Sequence, residues 1–201
     1  MHPIEEVSVV GIGQTGKRTF ISNEGIQYLV IGNLMSTGVN YNKKVRFVEE
    51  HGFNDPKRCR VENEDILLAI SGSGSIERST IVLGAERNLT ISQDVARIRL
   101  ESDYPKYSTT LFLQSKWGVA QILRHENGTG LTHLKQEDIK KFIIPRCPTI
   151  LEQWSKEKCL EINKLHNDFL ISPSKENREK AETLRKKVVL EFEKKIQLYI
   201  K

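Results

Sequence analysis

The chain changes character at Phe142-Ile143-Ile144-Pro145-Arg146-Cys147-Pro148. Before this stretch, short apolar runs are separated by Gly, Asn, Asp and Pro, which is typical of strands and turns. After it, apolar residues recur every three to four positions among charged ones, which predicts amphipathic helices. The sequence therefore predicts a first domain over residues 1–150 and a helical segment over residues 151–201.

The first part is predicted to be rich in β-structure. Candidate strands span residues 7–10, 28–31, 45–48, 66–70, 81–83, 95–100 and 142–144. Two helical patterns interrupt them, at residues 107–123 and 135–140, and the intervals are too short for a regular alternation of strands and helices. The predicted fold class is α+β, with a β-rich domain followed by a two-helix, coiled-coil-like segment.

The helical segment is predicted to contain two helices separated by a turn at residues 171–174, where Ser172 and Pro173 fit an N-cap and first-turn pair. Helices of about 20 and about 28 residues would be roughly 30 and 40 Å long, too long for one small domain to cover. We therefore expect part of their apolar stripe to contact the other helix, another protein or a second copy of the chain. The residues assigned to dimerisation are Leu151, Trp154, Ile162, Leu165, Phe169, Leu184, Val188, Phe192, Ile196 and Tyr199.

The composition is that of a soluble globular protein. Of the 201 residues, 38% are hydrophobic and 28% are charged, as in domains with a packed core. No run approaches the ~18 consecutive apolar residues that span a bilayer, and the first residues lack the pattern of a secretion signal. Cys59, Cys147 and Cys159 form no Cys-x-x-Cys pair, so neither a disulfide framework nor a metal site is indicated. We expect a cytoplasmic protein that does not enter a membrane.

The net charge is +5, from 31 Lys and Arg against 26 Asp and Glu. Residues 151–201 hold 12 basic and 9 acidic residues, which leaves 19 basic and 17 acidic residues for the β-rich domain. A polyanion-binding face in that domain would therefore depend on where the positive side chains lie. In the candidate strand 95–100, alternation places Arg97 and Arg99 on one face, which we expect to be solvated.

Two glycine-rich segments carry small residues beside basic ones. Residues 11–16 formally match Gly-x-Gly-x-x-Gly and, with Lys17, nearly match a P-loop, but no helix pattern follows and Arg18 replaces the magnesium-binding Ser or Thr. Residues 71–75, Ser-Gly-Ser-Gly-Ser, follow an apolar run, and either their amides approach a phosphate or they form a flexible hairpin loop. For the first segment, which carries Lys17 and Arg18, contact with a polyanion is favoured over nucleotide binding.

No catalytic constellation is evident. The five histidines lack metal-ligand spacing, and no serine lies in a Gly-x-Ser-x-Gly motif. Asp55-Pro-Lys57 and Asp138-Ile-Lys140 resemble fragments of a nuclease site, but neither has an acidic partner on a preceding strand. The sequence favours a binding protein over an enzyme.

In their order, the segments between residues 4 and 153 resemble the DNA-specificity (S) subunits of type I restriction-modification systems. The matching pieces are Thr15-Gly16, residues 24–34, residues 64–76 with their acidic turn and Ser/Gly loop, residues 89–98, the helical stretch 107–123, the Gly-rich turn 127–130, the strand that ends at Pro145 and Leu151-Glu152-Gln153.

The resemblance implies a non-catalytic subunit that selects a sequence in double-stranded DNA. Partner methyltransferase (M) subunits and a restriction (R) subunit would do the chemistry, so S-adenosylmethionine, ATP and Mg²⁺ are expected on the partners and no cofactor on this chain. The residues expected at the DNA are Lys17, Arg18, Lys43, Lys44, Lys57, Arg58, Arg60, Ser71, Gly72, Ser73, Gly74, Ser75, Arg78, Lys116 and Arg124.

A full-length S subunit usually carries two recognition domains, whereas this chain resembles one, so we expect half a subunit or a fragment. Two identical halves would pair through their helices, which would set the distance between the two parts of an inverted-repeat, bipartite target. The alternatives are the recognition part of a fused restriction-methylation enzyme, a small nuclease and, with less support from so elaborate a β-rich domain, a protein-binding scaffold.

Overall fold

The computed structural model describes residues 1–13, 20–21, 24–50, 57–72, 74–85, 88–124 and 133–199. Its strands are β1 (His2–Pro3), β2 (Ser8–Ile12), β3 (Ile26–Leu29), β4 (Leu34–Met35), β5 (Gly38–Val39), β6 (Phe47–Val48), β7 (Arg60–Val61), β8 (Ile66–Ala69), β9 (Ser79–Ile81), β10 (Leu89–Ile91), β11 (Val95–Leu100) and β12 (Ile143–Ile144). Its α-helices are α1 (Ile4–Val7), α2 (Lys106–Gln114), α3 (Lys116–Arg124), α4 (Gln136–Lys140), α5 (Thr149–Ile171) and α6 (Lys175–Ile196). Short 3-10 helices lie at Ile31–Asn33 and Lys57–Cys59. The predicted α+β class is confirmed.

Two four-stranded sheets form the β-rich part. The first sheet has the strand order β2-β11-β8-β9 and is antiparallel throughout. The second has the order β6-β3-β10-β7, in which β3 and β10 are parallel and the other pairs are antiparallel. Strand β1 pairs with β12, and β4 forms a hairpin with β5.

Strand β8 is apolar throughout because both of its faces are covered. Ile66 and Leu68 belong to the apolar cluster that includes the helices, whereas Leu67 and Ala69 belong to the cluster that includes the second sheet. Successive side chains of a strand point to opposite faces, so a strand buried on both faces lacks polar alternation. This arrangement explains the uninterrupted run at residues 66–70.

The two long helices pack against each other and against α2. The resulting cluster buries five of the residues assigned to dimerisation, which are Leu151, Ile162, Val188, Phe192 and Ile196. The structure corrects that assignment, because a side chain in the core of its own chain is not available to a partner. Trp154, Leu165, Phe169 and Leu184 are half-buried, and Tyr199 is exposed. The boundary after residue 150 stays a prediction.

Two details of the predicted helices are wrong. The N-cap of α6 is Ser174 rather than Ser172, because the Oγ of Ser174 accepts a hydrogen bond of 3.0 Å from the backbone N–H of Asn177. The stretch at residues 107–123 forms two helices with a break at Ser115, whose hydroxyl donates to the carbonyl of Phe112. None of the described helices is long and apolar enough to cross a membrane.

Two polar contacts fix α5 on the β-rich part. The carboxylate of Glu152 accepts hydrogen bonds from the N–H groups of Tyr107 (3.0 Å) and Ser108 (2.8 Å) and from the Ser108 hydroxyl (2.6 Å), so it caps the first turn of α2. Further along α5, the ring of His166 contacts the β4–β5 hairpin.

The His166 ring is buried and lies between two hydrogen-bonding groups of that hairpin. Its Nδ1 is 3.0 Å from the Thr37 hydroxyl, and its Nε2 is 3.2 Å from the carbonyl oxygen of Val39. Burial lowers the pKa of His166 from its usual 6.5, which favours the neutral ring with Nε2 as the donor. A side chain at Gly38 would collide with this ring.

Candidate nucleic-acid interface

Several chain segments leave the two sheets at the same end. In the first sheet, Ile12 pairs with Ala96 and Ala69 pairs with Val95, so β2 and β8 both end where β11 begins. Residues 92–94 join the end of β10 to the start of β11, and β3 runs parallel to β10, so both of these strands also end there. We call this end of the molecule the loop end.

The Ser/Gly segment forms a hydrogen-bonded loop at the loop end. Ser71 donates its hydroxyl hydrogen bond to the Oδ1 of Asp94 (2.8 Å), and the N–H of Ser75 donates to the carbonyl of Gly72 (3.0 Å). Gly72 and Gly74 have φ values of +88° and +71°, which glycine adopts without steric strain. Arg78 closes the loop by donating to the Gly74 carbonyl (3.1 Å), and Ser73 lies outside the described residues.

The segment that carries Lys43 and Lys44 lies beside the 3-10 helix that follows β3. The buried Asn33 donates from Nδ2 to the carbonyls of Asn40 and Lys43, which fixes this segment on the loop end. The side chain of Lys44 lies alongside Gly32, and both lysine side chains are exposed. Two of the predicted cations therefore lie at the loop end, as the Ser/Gly loop does.

The 3-10 helix at Lys57–Cys59 lies against the end of β2. The thiol of Cys59 donates to the carbonyl of Ile12 (3.1 Å), and a side chain at Gly11 would collide with the carbonyl of Arg58. Lys57 and Arg58 are exposed. Gly11 thus permits a close approach of backbone segments, which accounts for one glycine of the formal dinucleotide-binding match.

Other predicted residues differ in their placement. Arg60 forms an ion pair of 3.3 Å with Glu50. Lys116 belongs to the helical side of the molecule, because its N–H donates to the carboxylate of Glu193 on α6 (2.7 Å) and its ammonium lies over the ring of Trp117.

Arg124 ends α3, and Lys17 and Arg18 lie outside the described residues. The loop end brings together Lys43, Lys44, Lys57, Arg58, Ser71, Gly72, Gly74, Ser75 and Arg78.

The expected solvated face of β11 is instead covered in part. Arg97 is only 3% exposed and donates from Nη1 to the carbonyl of Arg60 (2.9 Å). Arg99 donates to both carboxylate oxygens of Asp65 and to Glu62, which raises its pKa. The prediction was wrong because alternation reports that two residues share a face, but not whether water or another strand covers it.

Only one of the two carboxylates considered for a nuclease lies in the described part of the chain. Asp138 accepts a hydrogen bond from the N–H of Lys135 (3.2 Å) and so caps α4, and Asp55 lies outside the described residues. No group of three or more His, Cys, Asp or Glu residues in the described ranges is arranged to hold a metal ion.

No family model and no curated protein matches the sequence. Eighteen chains of solved structures match this one, among them the three that follow. The type I restriction-modification S subunit from M. genitalium has a TM-score of 0.55 and 14% identity, covering 83% of this chain and 39% of that one. The HsdS subunit from Thermoanaerobacter tengcongensis has a TM-score of 0.57 and 11% identity, covering 94% and 43%. The type IIG restriction endonuclease BpuSI has a TM-score of 0.56 and 12% identity, covering 95% and 31%.

The resemblance to S subunits is thereby confirmed at the level of fold. The chain spans about two fifths of the length of the two S subunits, as expected for one recognition domain with its helices.

Proposed function

We propose that this chain selects the DNA sequence on which a type I restriction-modification complex acts. The observation that carries the proposal is the gathering of four exposed cations and a Ser/Gly loop at one end of a fold similar to S subunits. The partner M subunits would methylate the DNA, and the R subunit would cleave it. S-adenosylmethionine, ATP and Mg²⁺ would accordingly bind to those partners.

At the loop end, the charged side chains and the backbone of the Ser/Gly loop would contribute to DNA binding in different ways. Lys43, Lys44, Lys57 and Arg58 would contact phosphates, which fixes the position of the protein on the duplex without reading sequence. The Ser/Gly loop, with its small residues and two left-handed glycines, would let the backbone approach the DNA closely. Lys17, Arg18 and Ser73 lie outside the described residues, and their contact with DNA is proposed from the sequence alone.

Binding of the purified chain to duplex DNA as a function of NaCl concentration tests this proposal. Four phosphate contacts would give a slope of log K against log salt of about −3.6, since each contact contributes about −0.9. Replacing Lys57 and Arg58 by Ala is expected to reduce the slope by about 2, whereas the matched exchange of the exposed Lys186 and Lys194 on α6 is expected to leave it unchanged. A chain with no salt-dependent affinity for duplex DNA contradicts the proposal.

We propose that two copies of the chain pair through a smaller apolar surface than the ten residues that the sequence assigned to dimerisation. Leu165 and Leu184 line a groove of about 540 Å³ beside α6, with Glu179 and Lys187 on its rim. Thr183 lies midway between these two charges, so a two-fold axis there would place Glu179 of each copy near Lys187 of the other. Analytical ultracentrifugation tests this, since Leu184→Asp should convert a dimer into a monomer. A wild-type chain that is monomeric both alone and with its M subunit contradicts the arrangement.

A second candidate is the recognition part of a fused restriction-methylation enzyme, favoured by the similar fold of a region of BpuSI. A gene that continues into a methyltransferase domain would support it. A small nuclease would be supported by metal-dependent DNA cleavage that Asp55→Ala or Asp138→Ala abolishes, with cleavage retained in Asp168→Ala on α5.

A further inference from the structure

Arg97 is a buried cation with little to neutralise it. The residue is 3% exposed, its Nη1 donates to the Arg60 carbonyl (2.9 Å), and its Nε has no hydrogen-bond partner. In the described residues it forms no ion pair. Arg99, two positions along the same strand face, forms ion pairs with Asp65 (2.7 Å) and Glu62 (2.6 Å).

Such a charge does not stabilise the fold. Taking a cation out of water costs free energy that an ion pair offsets only in part, and here no ion pair is formed. Burial, the largest cause, and the neighbouring Arg99 lower the pKa of Arg97, and the nearby carboxylates of Asp65 and Glu62, which Arg99 binds, oppose this shift only in part. A guanidinium still stays protonated at neutral pH, so the positive charge remains in the fold.

The position of Arg97 links this charge to the loop end. Its Nη2 lies beside Gly11, since a Cβ added to that glycine would be 3.3 Å from it. The carbonyl of Arg58 contacts the same glycine. Its Nη1 contacts the carbonyl of Arg60. The guanidinium therefore lies beneath the segment that carries the exposed Lys57 and Arg58.

We propose that Arg97 contributes to DNA binding through its charge, because it places a positive charge behind the segment of Lys57 and Arg58 that the DNA phosphates neutralise. This inference rests on the proposed function. It assigns a role in binding to a residue that does not reach the DNA. A purely structural Arg97 would instead stabilise the free protein.

Because a structural role and an electrostatic role of Arg97 predict opposite changes in stability, two neutral variants distinguish them. Arg97→Met removes the charge and keeps much of the apolar volume, and Arg97→Gln removes the charge and keeps a polar group near the position of Nε. Both should have a melting temperature equal to or above that of the wild type. Both should bind a fluorescein-labelled duplex of about 30 base pairs about tenfold more weakly at low salt, as expected for one charge at about 10 Å from a phosphate. The difference should narrow as NaCl is added.

Two further variants serve as controls. Arg97→Lys keeps the charge and should stay within about threefold of the wild-type affinity. Lys194→Met removes one exposed charge from α6 and should change the affinity by less than about twofold, because that position is on the helical side.

Equal affinity of the wild type and both neutral variants would overturn the inference. So would melting temperatures that fall in parallel with affinity, or neutral variants that do not fold, because either result makes Arg97 structural. A wild-type chain without affinity for the duplex would instead refute the proposed function, so the two failures are distinguishable.

Discussion

Replacing Glu152 by Gln removes the carboxylate that joins the long helix α5 to the first turn of α2. That carboxylate accepts three hydrogen bonds, two from backbone N–H groups and one from the Ser108 hydroxyl. A helix cap contributes about 1 kcal/mol, and a hydrogen bond to a charged group contributes about 1.5–3 kcal/mol. Glutamine keeps one acceptor oxygen but turns a donor toward the N–H groups of α2.

The half-buried position of Glu152 moderates these values. We therefore expect the free energy of unfolding to fall by about 2–3 kcal/mol, which in a chain of this length lowers the melting temperature by about 5–10 °C. Urea denaturation followed by the fluorescence of Trp154, two residues along α5, measures the change.

Gln153→Ala is the matched control, because Gln153 is exposed and the exchange should change the stability by less than about 0.5 kcal/mol. If Glu152→Gln and Gln153→Ala unfold at the same urea concentration, the carboxylate does not fix α5 to α2.

Three further results are expected. The pKa of His166 is lowered in the folded chain, so the unfolded chain takes up the proton first, and stability should fall as the pH drops below about 6.5. In His166→Gln, the urea midpoint should depend less on pH between pH 5 and 7.5. An unchanged pH dependence would refute a neutral buried ring. Gly74→Ala places a side chain at φ +71°, so it should lower the free energy of unfolding by about 1 kcal/mol in thermal unfolding and weaken DNA binding. The control Ala85→Gly should leave DNA binding unchanged. If Gly74→Ala binds DNA as the wild type does, the Ser/Gly loop is not part of the interface. Ser71→Ala removes the hydrogen bond to Asp94 and should lower the free energy of unfolding by about 1 kcal/mol in urea titrations. An unchanged free energy of unfolding would show that water replaces this hydrogen bond.

The helices were predictable from sequence, but which of the possible partners covers each apolar face was not. Periodic apolar residues indicate that one face of a helix is buried, and Ile162 and Phe192 are indeed buried. The same periodicity does not distinguish a second copy from α2 of the same chain, because both present apolar side chains. The start of α6 was similarly misjudged, since Ser172 and Ser174 are both suitable N-caps and only the backbone geometry selects Ser174.

Residue type alone predicted some of the residues of the candidate interface, but only the pairing of the strands showed which of them lie together. Lys57 and the Ser/Gly loop are 14 residues apart in sequence, and they share the loop end because β2 and β8 both flank β11. Lys116 has the same chemistry but lies beside α6. Arg97 was predicted to be exposed to solvent. The backbone of residues 58–60 covers it instead, and this contact depends on the pairing of β7 with β10, which the sequence pattern does not show.

The most direct test of sequence selection is to map methylated motifs in the genome with and without this gene. We expect one bipartite motif to lose its methylation on deletion and to regain it with the wild-type gene. A gene with Lys57→Ala and Arg58→Ala should restore it poorly, although the protein is folded and present at wild-type level. A genome that carries methylated motifs and loses none of them on deletion would contradict the proposal that this chain selects the target sequence.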